Sequence, residues 1–214
     1  LPATQRSAAD KDARVNLWHD RLQLEKSAKA KDDAACVVTA QRVLAADVGC
    51  DRYYVLGNLL AYEHSFEESE AEFAKAFELD PNEADAWATL SDIAVLAGRV
   101  EEGLEHIREA FRLNPYPASW YYMTLGEAQY AARDYEAAVE TLRREETYRT
   151  SSRRFLAASL AQLGRLDEAR AEVEMFLIGN PHFTTSYWVW TEPFRDDAMR
   201  EHFIDGFRKA GLPD

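Results

Sequence analysis

The feature that most constrains this chain is a spacing. Asp80-Pro81 and Asn114-Pro115 lie thirty-four residues apart, and Asn180-Pro181 follows sixty-six residues later. A fixed period of this length marks a stacked repeat, so self-similarity comes before any single motif. Ahead of each proline the same order of residues returns. Phe66-Glu67-Glu68-Ser69 is followed by Phe73 and Ala76, and Val100-Glu101-Glu102-Gly103 by Ile107 and Ala110. Leu166-Asp167-Glu168-Ala169 is followed by Val173 and Phe176. Tyr135-Glu136-Ala137-Ala138, then Leu142, keeps the frame but ends at Thr150 in place of a proline.

Each piece of the frame has a physical reason. The paired carboxylates fall in the first turn of a helix, where the macrodipole favours negative charge. The apolar residues that follow at spacings of three and four make one buried stripe. Gly98 and Gly164 sit just before these helices, where a left-handed residue ends the preceding one, and His64 holds the same slot as a turn residue. The prolines stop the second helix. Each unit therefore reads as helix, turn, helix.

The first helices agree with one another. They open with Tyr53, Leu56 and Gly57, with Trp87, Leu90 and Ser91, and with Tyr122, Leu125 and Gly126; Ser91 departs from this aromatic-Leu-Gly pattern, as does a fourth opening of Arg153, Leu156 and Ala157. Over about residues 50–183 this resembles the tetratricopeptide repeat (TPR). The resemblance implies an all-α fold, a right-handed α-α superhelix (a TPR solenoid) of about five to six helix pairs. The units would be 50–83, 84–117, 119–152 and 150–183, the last two overlapping at their junction. Residues 1–49, with Trp18, Leu22, Val38 and Val43 on apolar faces, read as a degenerate first helical repeat. Residues 184–214 read as C-terminal capping helices, since a stacked array needs atypical ends. There Phe183, Tyr187, Trp190 and Phe194 recur as one helical stripe, and a last helix turns Met199, Phe203 and Ala210 inward before Gly211.

Composition narrows function. The net charge is −13, from 38 acidic and 25 basic side chains. The acidity belongs to the middle: residues 50–117 carry fifteen acids and five bases, while residues 1–49 are close to neutral. Nucleic acid and anionic membranes are therefore not expected as partners, because a basic face is what neutralises phosphate. No apolar run reaches the roughly 20 residues of a bilayer span, so membrane insertion is not expected. Cys36 and Cys50 cannot staple a chain of 214 residues and form no metal-site spacing. Reduced thiols point to a cytoplasmic location, with the periplasm left open. Because the first residue is Leu1, an initiator Met and any leader are expected to be absent or removed.

No constellation for chemistry is legible, so no catalytic residue, cofactor or metal is expected. Cys36 beside Val37 and Val38 reads as a buried thiol. The histidines at 19, 64, 106, 182 and 202 have no partner at ligand spacing. Asp196-Asp197 fit the first turn of the last helix better than a divalent ion site. No glycine-rich phosphate loop is present.

Three groups of residues are candidates for binding. The repeat resemblance implies a groove lined by the first helices. By position it presents Tyr54, Asn58 and Tyr62; then Ala88, Asp92 and Val95; then Trp120, Met123, Glu127 and Tyr130; and then Arg154 and Ala158. Aromatics mixed with Asp92 and Glu127 suit a protein or peptide partner with basic or apolar anchors, although such aromatics also pack between units. The chaperone-tail clamp of this family is not supported, since Tyr54 stands where its lysine belongs. The second group is Arg143, Arg144, Arg149, Arg153 and Arg154, read either as a grip for an anion or acidic partner or as a salt-bridged junction with Glu140, Glu145 and Glu146. The third is Trp188, which falls off the Tyr187–Trp190 stripe. It reads either as an exposed contact for self-association into a homodimer or as a cover for the neighbouring helix pair.

The second half is also similar to the C-terminal repeat region of bacterial class III adenylate/guanylate cyclases. The similarity is carried by Arg112-Leu113-Asn114-Pro115, Trp120-Tyr121-Tyr122, Leu142-Arg143-Arg144-Glu145-Glu146-Thr147-Tyr148, Leu160 to Ala169 and Phe207 to Pro213. It implies a regulatory module of a larger bacterial signalling protein, without the cyclase's activity, whose metal-binding aspartates have no counterpart here. Two functions remain open: a partner-binding scaffold, or a small-ligand-sensing domain that controls an attached cyclase or DNA-binding domain.

Overall fold

The computed structural model describes residues 49–144 and 152–214. The expected degenerate first repeat, with Cys36, lies outside them, as do Glu145, Glu146, Arg149 and Thr150. Among the described residues there are ten α-helices and no strand, so the all-α expectation holds. They are α1 Asp51–Tyr62, α2 Phe66–Leu79, α3 Ala84–Leu96, α4 Val100–Leu113, α5 Ser119–Ala131, α6 Tyr135–Leu142, α7 Arg153–Gln162, α8 Leu166–Gly179, α9 Thr185–Thr191 and α10 Asp197–Ala210.

The first four pairs are closed by one and the same turn. His64, Gly98, Arg133 and Gly164 all have positive φ, between 58° and 80°. In each turn the next residue's amide reaches back five positions: Ser65 to Leu60, Arg99 to Ala94, Asp134 to Gln129 and Arg165 to Leu160. This left-handed cap satisfies carbonyls that the helix end leaves without partners. It also lets two residues other than glycine, His64 and Arg133, stand in a region that costs them backbone strain.

The chain divides into two compact units, one ending at Ala86 and the other running from Trp87 to Asp214. In the first, α1 packs on α2 around Val55, Ala61, Phe73 and Ala76. The two backbones approach closely at Gly57, where a Cβ would lie 2.7 Å from the Phe73 ring. Ser69 Oγ donates to the Gly57 carbonyl at 2.6 Å.

The second unit carries the same contact with its residues exchanged. Ser91 stands at the position of Gly57, and Gly103 at the position of Ser69. Ser91 Oγ now donates to the Gly103 carbonyl at 2.8 Å. A Cβ on Gly103 would lie 2.7 Å from Val95 Cγ2. The apparent departure at Ser91 from the aromatic-Leu-Gly pattern is thus compensated one helix later. At the next pair Gly126 is again the tight position, with Leu142 Cδ2 only 2.4 Å from where a Cβ would be.

The second unit's core runs through Leu96, Leu104, Leu142, Phe155 and Leu160, and takes in Phe203 and Phe207 from α10. The C-terminal region differs from expectation in one respect. Phe183, Tyr187, Trp190 and Phe194 do not form one buried stripe, because α9 has only seven residues and stops before Pro193. Its buried side is Thr185, Trp188 and Thr191, while Tyr187 and Trp190 are each 51% exposed. The last helix is as expected: Asp196 caps it by accepting from Met199 N at 2.6 Å, and Gly211 (φ 93°) ends it.

Candidate functional site

The central feature of the second unit is the path of α10. Just before the helix, Arg195 N donates to the Leu96 carbonyl at 3.2 Å, and Asp196 lies against Gly98 at the end of α3. One turn into the helix, His202 meets Tyr130 of α5. The two rings stack at 4.7 Å, and Tyr130 Oη donates to the His202 carbonyl at 3.1 Å. Gly206 lies against Tyr130 Oη and Ala158, while Phe203 and Phe207 both pack on Phe155 of α7. At the rim, Gln162 of α7 donates to Asp205 at 3.0 Å and accepts from Lys209 at 3.1 Å. The segment thus touches the end of α3 with the residues before the helix, and α10 itself lies on α5 and α7, the first helices of two successive pairs.

This arrangement corrects the groove expected from sequence. Tyr130 is fully buried, because α10 covers it, and burial pushes its hydroxyl above the ordinary phenol range. Ala158 is covered by the same helix. Glu127 is buried, while Asp92, Trp120 and Met123 are half-buried. In the first unit Tyr54 and Asn58 belong to the interior, and Tyr62 is half-buried. Neither Tyr54 nor Tyr130 offers a ring to a partner.

Trp188 is corrected in the same way. It is only 6% exposed and sits among Phe155, Phe194, Phe203 and Phe207, the last at 4.9 Å between ring centroids. The Arg154 guanidinium lies 5.4 Å from its ring and 4.3 Å from that of Phe155. One side of a helix cannot hold positions 187, 188 and 190 together, and the core takes the residue on the side of Thr185 and Thr191.

The arginines pair with acids of α8. Arg143 binds Glu168, and Arg153 binds Glu172. Glu168 also accepts two bonds from Arg165 at 2.7 Å, and these two arginines hold its carboxyl down at about 2. Arg144 lies 4.5 Å from the centroid of the Tyr122 ring. Of the cluster, Arg143 and Arg153 thus each already hold a carboxylate, the arrangement of an ion-paired junction.

A family model described as a tetratricopeptide repeat matches residues 51–83. Residues 51–83 form a tetratricopeptide repeat. No curated protein matches the chain. Among solved structures, the chain is similar to YrrB, described as a TPR protein with an unusual peptide-binding site. The TM-score is 0.50 and the identity 23%, over 74% of this chain and 83% of that one. It is also similar to PilF of Pseudomonas aeruginosa, with a TM-score of 0.60 and 17% identity, over 95% of this chain and 90% of that one. Both likenesses are of fold, and the fold is the tetratricopeptide-type helical repeat.

At the edge of the matched repeat the period itself brings together a group that sequence spacing hides. Cys50 Sγ and a carboxylate oxygen each of Asp80 and Glu83 lie within 4.8 Å of one another, the donor types of a metal site. Cys50 and Glu83 are almost one repeat length apart, so the loop that closes the repeat returns to its start. The thiol donates to Glu83 at 3.8 Å and to Asp51 at 3.7 Å. Burial, then the charges of Glu83, Asp51 and Asp80, push it up to about 12. At neutral pH it therefore keeps its proton and serves as a hydrogen-bond donor between carboxylates; a metal would have to displace that proton.

Proposed function

We propose that this chain is a protein-interaction module that binds a segment of a partner protein on the faces of its first helices and carries out no reaction of its own. The observation that carries this reading is the repetition itself: four helix pairs closed by one turn geometry, with the first-helix residues Asp92, Trp120 and Met123 half-buried in the second unit. Such a frame is already ordered, so binding costs the module little conformational entropy. Asp92 with the half-buried Trp120 and Met123 favours a partner with basic or apolar anchors. The similar fold of YrrB, described by its peptide-binding site, supports the same class of partner. The resemblance of residues 110–214 to the repeats of class III cyclases supports a place as the regulatory part of a larger bacterial signalling protein.

The test is capture of partners from a lysate of the source cell by the immobilised chain and by an Asp92→Ala plus Trp120→Ala variant. Proteins retained by the unmodified chain and lost from the variant are expected. The same set on both would sink the reading. Tyr54 and Tyr130 are unsuitable targets, because both are buried and their loss would act through stability.

A further inference from the structure

We propose that Cys50, Asp80 and Glu83 form a zinc site, which clips the loop closing the matched repeat to the start of α1.

The three side chains come from places that the sequence keeps apart. Cys50 precedes α1, while Asp80 and Glu83 flank the turn after α2. Their donor atoms nevertheless lie within 4.8 Å of one another, and Cys50 and Glu83 are both buried. Sγ is 3.8 Å from Glu83 Oε2. A thiolate and a carboxylate oxygen on one tetrahedral zinc, with bonds of about 2.3 and 2.0–2.2 Å, stand roughly 3.5–3.7 Å apart. The Cys50–Glu83 pair therefore already has the span of two ligands on one ion, and Asp80 has about 1.5 Å at most to travel. Glu83 Oε1 accepts from Asp85 N at 3.4 Å and Asp80 Oδ1 from Asn82 N at 3.0 Å. These bonds fix one oxygen of each carboxylate, and Glu83 Oε2 is the oxygen turned to the thiol. Asp51 Oδ1, 3.7 Å from Sγ, is the nearest fourth donor.

The repeat does not itself call for these residue types. One period on, the places of Cys50, Asp80 and Glu83 belong to Ala84, Asn114 and Pro117. Ala84 is buried as Cys50 is, and Asn114 makes the same turn, its Oδ1 accepting from Tyr116 N at 3.1 Å. After α8, Asn180 and Phe183 stand where Asp80 and Glu83 do. Packing and turn are thus served there without a thiol or a carboxylate, and the matched repeat departs from them toward metal ligands.

The mixed donor set selects the metal. Calcium and magnesium take oxygen ligands, whereas zinc accepts thiolate and carboxylate together. The positive end of the α1 dipole, roughly half a charge, opposes a cation here, but the carboxylates of Asp51, Asp80 and Glu83 outweigh it. Their charge is already felt by the thiol, which burial first and then these acids push up to about 12. The field that holds the proton also attracts a divalent ion, which takes the proton's place: the S–H bond breaks, the S–Zn bond forms, and the proton leaves to solvent.

The test titrates the full chain, freed of metal by a chelator, with zinc chloride alone. The thermal midpoint is expected to rise with zinc concentration, and binding to release protons. Cobalt(II) in place of zinc should give the near-ultraviolet thiolate-to-metal absorption that only sulfur ligation produces. Cys50→Ala, the residue found one period later, should fold, lose that band and bind zinc more than about tenfold more weakly. Glu83→Gln should weaken binding in the same way, while Cys36→Ala should keep both the band and the affinity. A midpoint indifferent to zinc overturns the proposal. So does equal zinc affinity in Cys50→Ala, which would put the ion on other side chains, or loss of the band in Cys36→Ala. Should the Cys50 or Glu83 variant not fold, the cobalt spectra of the unmodified and Cys36→Ala chains decide, and the absence of the thiolate band overturns the proposal.

Discussion

Tyr130 and His202 bind each other's backbone: the Tyr130 hydroxyl donates to the His202 carbonyl at 3.1 Å, and His202 Nε2 lies 3.2 Å from the Tyr130 carbonyl. The rings stack nearly parallel, 14° apart. This reciprocal pair ties the end of α5 to the middle of α10 across 72 residues of chain. It is where the face expected to be open is closed by α10.

Removing the hydroxyl tests that tie. Tyr130→Phe keeps the stack and removes the side-chain donor from the His202 carbonyl, whose helical partner remains, so a loss of about 0.5–1.5 kcal/mol is expected. Urea unfolding should show a lower midpoint with an unchanged slope. An unchanged midpoint would mean that the bond contributes nothing.

The same pair predicts a pH dependence. Burial, the largest cause, lowers the His202 pKa below 6.5, and Arg133 and Lys209 add to it, against the bond to Tyr130 and the charge of Asp205. The unfolded chain takes up the proton more readily than the folded one. Stability is therefore complete above the ordinary value of 6.5 and is lost as pH falls from there through the lowered folded value. Burial lowers His106 as well, so His202→Gln should make the fall in urea midpoint shallower without abolishing it. A slope identical to that of the unmodified chain would contradict the assignment.

Trp188→Ala should act on stability and not on assembly. The ring is enclosed by four phenylalanines, and its loss should cost roughly 3–5 kcal/mol. The sedimentation coefficient of the folded variant should equal that of the unmodified chain. A stable variant with an altered association state would restore the self-association reading.

Ser91→Ala tests the exchanged contact between α3 and α4. Its hydroxyl is the buried donor to Gly103, so a loss of about 1 kcal/mol is expected in thermal unfolding. Gly103→Ala should cost more, because its Cβ meets Val95 and the Ser91 carbonyl. The reverse order would show that the close approach is tolerant.

Cys50 should resist alkylation in the folded chain. Its thiol is buried and pushed up to about 12, so almost none is thiolate at neutral pH. Reaction with iodoacetamide should become fast only in denaturant. Fast modification of the native chain would disprove the burial and the acidic surroundings together.

The sequence by itself determined the helix pairs and their turns. These are local matters: carboxylates on first turns, a left-handed slot at Gly98 and Gly164, apolar residues at three and four, prolines at the ends. Even His64 was legible as a turn residue, because the period placed it beside two glycines. Ser91 was legible as a departure but not as half of an exchanged pair with Gly103, since that requires knowing which backbone faces which. Which faces remain open was decided only by tertiary structure. Periodicity names the stripe of each helix but not what will cover the other side, and Tyr130 and Ala158 were available both to a partner and to the chain's own last helix. The last helix reached them because α9 stops before Pro193, after seven residues, and the chain then passes the end of α3 at Arg195 and Asp196 before α10 lies on α5 and α7. Trp188 went to the core for the same reason: a helix so short buries one side only, and the side is chosen by what it meets.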